Sequence, residues 1–181
     1  MISGISDPKS LYEHPGPGHR EHQNTQHDSL METAVTDADR DADHDADHKA
    51  IERLLSDFAW HADRGEGAAL ADLFLPDAVL TVGGVDLQGR VAIAADCHRR
   101  HENPLRKTRH VWSNLRVLHR DDGAVATAAV QLTYEQTGPD LPTQLRVNDL
   151  FDTFRRDAAG RWRFARRLIK RELALCLPVP A

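Results

Sequence analysis

Apolar residues begin to recur with a regular period only at Ile51. Ile51, Leu54, Leu55, Phe58, Ala59 and Ala62 follow the spacing of one helix face, with Arg53, Asp57 and Arg64 opposite. Gly65 is a suitable C-terminal stop, because glycine accepts the left-handed conformation there. Leu70, Leu73 and Phe74 predict a short second helix over 66–74, broken by Pro76-Asp77. The period then shortens. Residues 78–82 read as an apolar strand, Gly83-Gly84 as a turn back through 85–87, and 90–101 as a third helix with Val91, Ile93 and Ala94 inward. After Asn103-Pro104 come four long strand-like runs, 109–119, 124–136, 143–156 and 161–173, joined in pairs by Arg-Asp-Asp-Gly and Asp-Ala-Ala-Gly. Helices early and long hairpins late predict an α+β domain with a mostly antiparallel sheet, not a doubly wound α/β fold.

Residues 1–46 show no hydrophobic period and are rich in Gly, Pro, His, Asp, Gln and Ser, which predicts a disordered acidic, His-rich tail. The division expected is therefore a tail over 1–46, one domain over 47–176 and a short C-terminal tail over 177–181; Met31 is an alternative start. The tail contains the one internal repeat, Asp-Ala-Asp-X three times over 37–48. His44 and His48 lie at i, i+4, a spacing that suits a metal, but the simpler reading is a solvated lead-in to the first helix. Charge divides the same way. Residues 1–49 hold four Lys or Arg against eleven Asp or Glu, whereas 50–181 hold 19 against 17. The folded part thus lacks the basic excess that nucleic acid would require.

Two cysteines, Cys97 and Cys176, are too few for a disulfide framework, and the expectation is that both are reduced and buried. No apolar run approaches the roughly 20 residues of a membrane span, and no secretory pattern opens the chain, so a cytoplasmic protein without membrane contact is expected. Neither Gly-rich phosphate loop is present, which predicts no nucleotide cofactor, and no metal set is complete: His98 and His101 at i, i+3 lack further ligands.

Asp63 lies at the edge of the first helix's apolar stripe. Either it faces the interior beside a partner, since a lone carboxylate there is costly, or it curls out to water; periodicity alone favours the second. In the first long strand, alternation places His110, Trp112 and Asn114 on one face and Val111, Leu115 and Val117 on the other. The mixed face suits either a pocket wall or the solvent side of a sheet.

The stretches FAWHADRGEGAALADLFLPDAVLTVGG, LQGRVAIAA, RHVWSN and GRWRFARRLI, within residues 48–173, resemble the SnoaL-like branch of the nuclear transport factor 2-like superfamily, beside the scytalone dehydratase and hexachlorocyclohexane dehydrochlorinase group. The resemblance implies a cone-shaped, curved sheet closed by three helices around a deep pocket. It also implies that Asp63 and His110 face each other there as a catalytic pair. The substrate-contacting candidates are Phe58, Trp112, Asn114, Tyr134, Arg146 and Asn148, with Arg146 and Asn148 where the resemblance implies such polar groups. Ala62 stands where scytalone dehydratase has a pocket tyrosine, and Tyr134 or Glu135 near its second pocket histidine, which argues against that substrate. The expected activity is a cofactor-free lyase or isomerase acting on a hydrophobic small molecule by general base catalysis. The alternatives are a non-catalytic binding or assembly module, or the small subunit of a ring-hydroxylating dioxygenase. A homodimer through the outer sheet face is a further implication, with Val147, Phe151, Leu168 and Leu173 assigned either to that interface or to the core.

Overall fold

The computed structural model describes residues 37–179. Its helices are α1 (Asp37–Arg64), α2 (Gly67–Asp72) and α3 (Gly89–Arg100). Its strands are β1 (Phe74–Val82), β2 (Val85–Gln88), β3 (Lys107–His119), β4 (Val125–Gln136), β5 (Thr143–Arg156) and β6 (Trp162–Leu177). The six strands form one sheet in the order β2-β1-β6-β5-β4-β3, antiparallel throughout except where β1 runs beside β6. Register shifts interrupt the β1–β6, β3–β4 and β5–β6 pairings, and such bulges add twist and bend the sheet around its inner face.

That inner face is filled from α1. Ile51, Leu55 and Phe58 descend onto Phe74, Phe154 and Phe164, all almost wholly covered. The Phe74 and Phe164 rings stack at 4.9 Å, with the Phe58 ring edge-on to both. Burying several such side chains contributes roughly 1.5–3 kcal/mol each, which is why the apolar stripe decides where α1 lies.

The elements differ from the sequence reading at identifiable places. α1 begins at Asp37, so its first turns are made from the Asp-Ala-Asp repeat that the sequence assigns to the tail. Asp47 anchors these turns to the sheet by accepting hydrogen bonds from Trp162 Nε1 (2.7 Å) and Arg156 (2.6 Å), and His44 stacks on His119 at 3.9 Å. Residues 1–36, including Met31, lie outside the described residues. α2 stops at Asp72, and Phe74 opens β1 instead; Pro76 is tolerated where the β1–β6 pairing is irregular. Val91 points to solvent, and the buried edge of α3 is Ile93 and Cys97. Cys176 is also exposed, contrary to expectation, since β6 outruns the helices that cover the sheet. Gly65 is needed twice over: its φ is +72°, and a Cβ there would come within 2.6 Å of the His101 ring.

Candidate active site

The end of α1 and the start of β3 meet at one carboxylate. Asp63 Oδ1 lies 2.6 Å from His110 Nδ1, and Oδ2 accepts the His110 backbone N–H at 3.1 Å. Both side chains are largely covered, Asp63 at 6% exposure and His110 at 14%. A buried carboxylate needs such partners, and here both oxygens are satisfied by one residue, which fixes the imidazole in position and orientation. With Nδ1 turned to Asp63, His110 Nε2 has no protein partner among the described residues.

His110 lines a cavity of about 560 Å³ enclosed by the three helices and the inner face of the sheet. Phe58, Leu70, Leu80 and Ile93 make its apolar side. Across from them, β4 contributes Gln131, Thr133 and Glu135, and β5 contributes Arg146 and Asn148. Asn148 Nδ2 and Gln131 Nε2 both donate to Thr133 Oγ1, at 3.2 and 3.1 Å, so the wall is ordered by its own hydrogen bonds. Glu135 accepts from Arg106 (2.7 Å) and from Arg146 (3.2 Å). Burial pushes the Glu135 carboxyl up, but hydrogen bonds from Arg146 and Arg106 outweigh it and hold the group below the usual carboxylate range.

Of the predicted substrate contacts, Phe58, Arg146 and Asn148 reach this cavity and Trp112, Asn114 and Tyr134 do not. For Asn114 the cause is a bulge in β3. The pairing with β4 slips between Ser113 and Arg116, and Asn114 sits there at φ 56°, the one positive φ outside glycine among the described residues. Alternation therefore changes phase. Leu115 and Val117 join His110 and Trp112 on the inner side, while Val111, expected to pack inside, is exposed. Asn114 is left at the surface, and Trp112 packs against the core. Tyr134 points outward between the inward Thr133 and Glu135. Gln131 and Thr133 are absent from the sequence candidates, and Glu135 enters only as a position near a relative's pocket histidine, although the three alternate as plainly as any strand. In β4 the polar face is the concave one.

Beneath Phe58 lies a buried charge pair. Arg167 and Asp152 are neighbours in register on β6 and β5, with Nε to Oδ1 at 3.6 Å, longer than a hydrogen bond. Burial pushes the Asp152 carboxyl up to about 6 against the pull of Arg167. The Arg167 guanidinium lies 4.0 Å from the Phe58 ring centre, a cation–π contact that partly replaces lost hydration. Among the described residues, no group of three or more His, Cys, Asp or Glu is arranged to hold a metal ion, and no helix is long and apolar enough to cross a membrane.

The SnoaL-like domain model matches residues 44–168, most of the chain, with Asp63 and His110 inside the match. The chain belongs to the SnoaL-like domain family. No curated protein matches it in sequence. Among solved structures, this SnoaL-like domain is similar to a hexachlorocyclohexane dehydrochlorinase from Novosphingobium barchaimii, with 23% identity over 76% of this chain and 94% of the other and a TM-score of 0.66. It is also similar to a candidate scytalone dehydratase from Novosphingobium aromaticivorans, with 22% identity, 75% and 95% coverage and a TM-score of 0.65. At these identities the likeness establishes the SnoaL-like fold.

Proposed function

We propose that this chain is a cofactor-free lyase or isomerase that takes a carbon-bound proton from a largely hydrophobic small molecule, with His110 as the base and Asp63 as the group that orients it. The observation that carries the reading is the 2.6 Å contact between Asp63 and His110 Nδ1, made by a ring that lines the cavity and keeps Nε2 unpartnered. A carboxylate on Nδ1 favours the Nδ1–H tautomer, leaves the Nε2 lone pair for the substrate and stabilises the imidazolium that forms. Once Nε2 has taken a proton beside an electron-withdrawing group, the freed electron pair has two outlets. It expels a leaving group from the next carbon, or it moves a double bond. His110 then returns the proton to the leaving group or to the new carbon. Thr133, in register with His110 on the same wall, supplies a hydroxyl donor for a developing oxyanion. The dehydratase and the dehydrochlorinase that share the fold are named for eliminations, which supports the same class here.

A chromogenic carbon acid tests this without knowledge of the natural substrate. 5-Nitrobenzisoxazole opens to a coloured phenolate when a positioned base removes its ring proton. The folded chain is expected to accelerate this opening over buffer, and His110→Gln to lower the rate by roughly 100-fold or more, the usual worth of a general base. Equal rates in the wild type and His110→Gln would contradict the proposal.

We also propose that the convex sheet face joins two copies of the chain. Val111, Leu132, Val147 and Leu173 are neighbours in register across four strands on that side, with Leu173 60% exposed and Val111 52%. An exposed apolar band of this kind is the usual mark of an interface.

A further inference from the structure

The cavity that the proposed function assigns to substrate has an excess of cations on its wall. Asp96 answers Arg100, and Glu135 is shared between Arg106 and Arg146, so that trio retains one positive charge. Arg171 lines the same cavity from β6, opposite Asn148, and has no ion-pair partner among the described residues. Lys170 is paired with Glu172 and does not enter the balance. Two guanidinium charges are thus in excess on this wall.

Glu135 does not cancel the Arg146 charge so much as aim it. The carboxylate sits between Arg106 and Arg146, which are themselves partly covered at 11% and 25% exposure, and holds both forks on one side of the cavity. Converging cations in a recess with low-dielectric walls favour the arrival of an anion. A guanidinium fork matches the paired oxygens of a carboxylate better than any neutral group. The position is also informative. His110 faces Thr133 in register and Thr133 faces Arg146, so the two backbones are two strands apart, roughly 10 Å at ordinary sheet spacing.

We infer that the substrate is an amphipathic carboxylic acid, its apolar body against Phe58, Leu80 and Ile93 and its carboxylate held by Arg146 and Arg171, on strands removed from that of His110. The carboxylate is then a handle and not the reacting group. This rests on the cavity being the substrate site, and it stands or falls separately from the role of His110 as base.

The test is calorimetric titration of the full chain with 2-naphthoate, its neutral counterpart 2-acetylnaphthalene and 2-naphthyl phosphate, in wild type, Arg171→Met and His110→Gln. Naphthoate is expected to bind roughly tenfold or more tighter than the ketone, with the advantage shrinking as salt rises. Arg171→Met is expected to reduce the preference at least about threefold without changing the melting temperature, because that side chain is exposed. His110→Gln keeps the preference while losing turnover of 5-nitrobenzisoxazole, so failure of the base and failure of the anion site give different patterns. Equal or tighter binding of the ketone would overturn the inference, as would an unchanged preference in Arg171→Met or no naphthoate binding at all. Tighter binding of the phosphate than of the carboxylate would overturn the assignment to carboxylic acids.

Discussion

Asp63 does two things with one carboxylate. It sets the His110 ring through Nδ1 and ties the last turn of α1 to β3 through the His110 N–H. The two roles respond differently to substitution. Asp63→Asn keeps an acceptor for the backbone N–H, so its melting temperature is expected to fall modestly, whereas Asp63→Ala leaves buried polar groups unpaired at a cost of roughly 1–3 kcal/mol. Denaturant titration of the two variants measures the difference. Carbon-acid turnover should be strongly reduced in both, because each removes the charge that favours the imidazolium. That a partner would be found for Asp63 was legible in the sequence only through the family resemblance. Helical periodicity places a side chain on a face but does not say whether the end of the helix is covered.

At the scale of elements, the bulge in β3 separates what the sequence shows from what it hides. All three helices and four long strands are visible as period changes, and β5 begins and ends where its pattern does. The phase change at Asn114 is not, because one inserted residue leaves the composition of the strand intact while exchanging its two faces. Since Asn114 sits at φ 56°, Asn114→Gly is expected to be neutral or stabilising, and Asn114→Val to destabilise by about 1 kcal/mol or more, read from thermal melts. The start of α1 was hidden for another reason. Its repeat has no apolar residue larger than alanine, and the turns are held instead by polar contacts to distant residues, Asp47 to Arg156 and Trp162 and His44 to His119. Burial, with the neighbouring His44 in support, lowers the His119 pKa from 6.5, outweighing the opposing pull of Asp47. The unfolded chain therefore binds this proton more readily than the folded one. The stability contributed is present at neutral pH and lost as pH falls through about 6.5. Amide exchange over residues 41–48 is expected to quicken on acidification, and a flat profile would contradict the assignment.

Seen whole, the molecule covers its cavity with helices and places a charge pair beneath the floor. Asp152 and Arg167 are both fully enclosed, and neither has a hydrogen-bond partner to replace the other. Removing one leaves the other as an uncompensated buried charge. Arg167→Met and Asp152→Leu are each expected to cost roughly 3–5 kcal/mol, and the double substitution less than either alone. Additive losses in a double-mutant cycle would show that the two side chains do not depend on each other. The convex face carries a prediction of the same scale: Leu173→Lys places a charge in the apolar band and is expected to halve the mass seen by light scattering, whereas an unchanged mass would exclude that face as the interface.

The central claim is that Asp63 holds His110 with a bare Nε2 toward the cavity. Nitrogen NMR of the neutral His110 ring reads this directly, without any substrate. The account predicts a protonated Nδ1 and an unprotonated Nε2 in the wild type, and a loss of that pattern in Asp63→Asn. A proton on Nε2 in the wild type, or a pattern indifferent to residue 63, would contradict it.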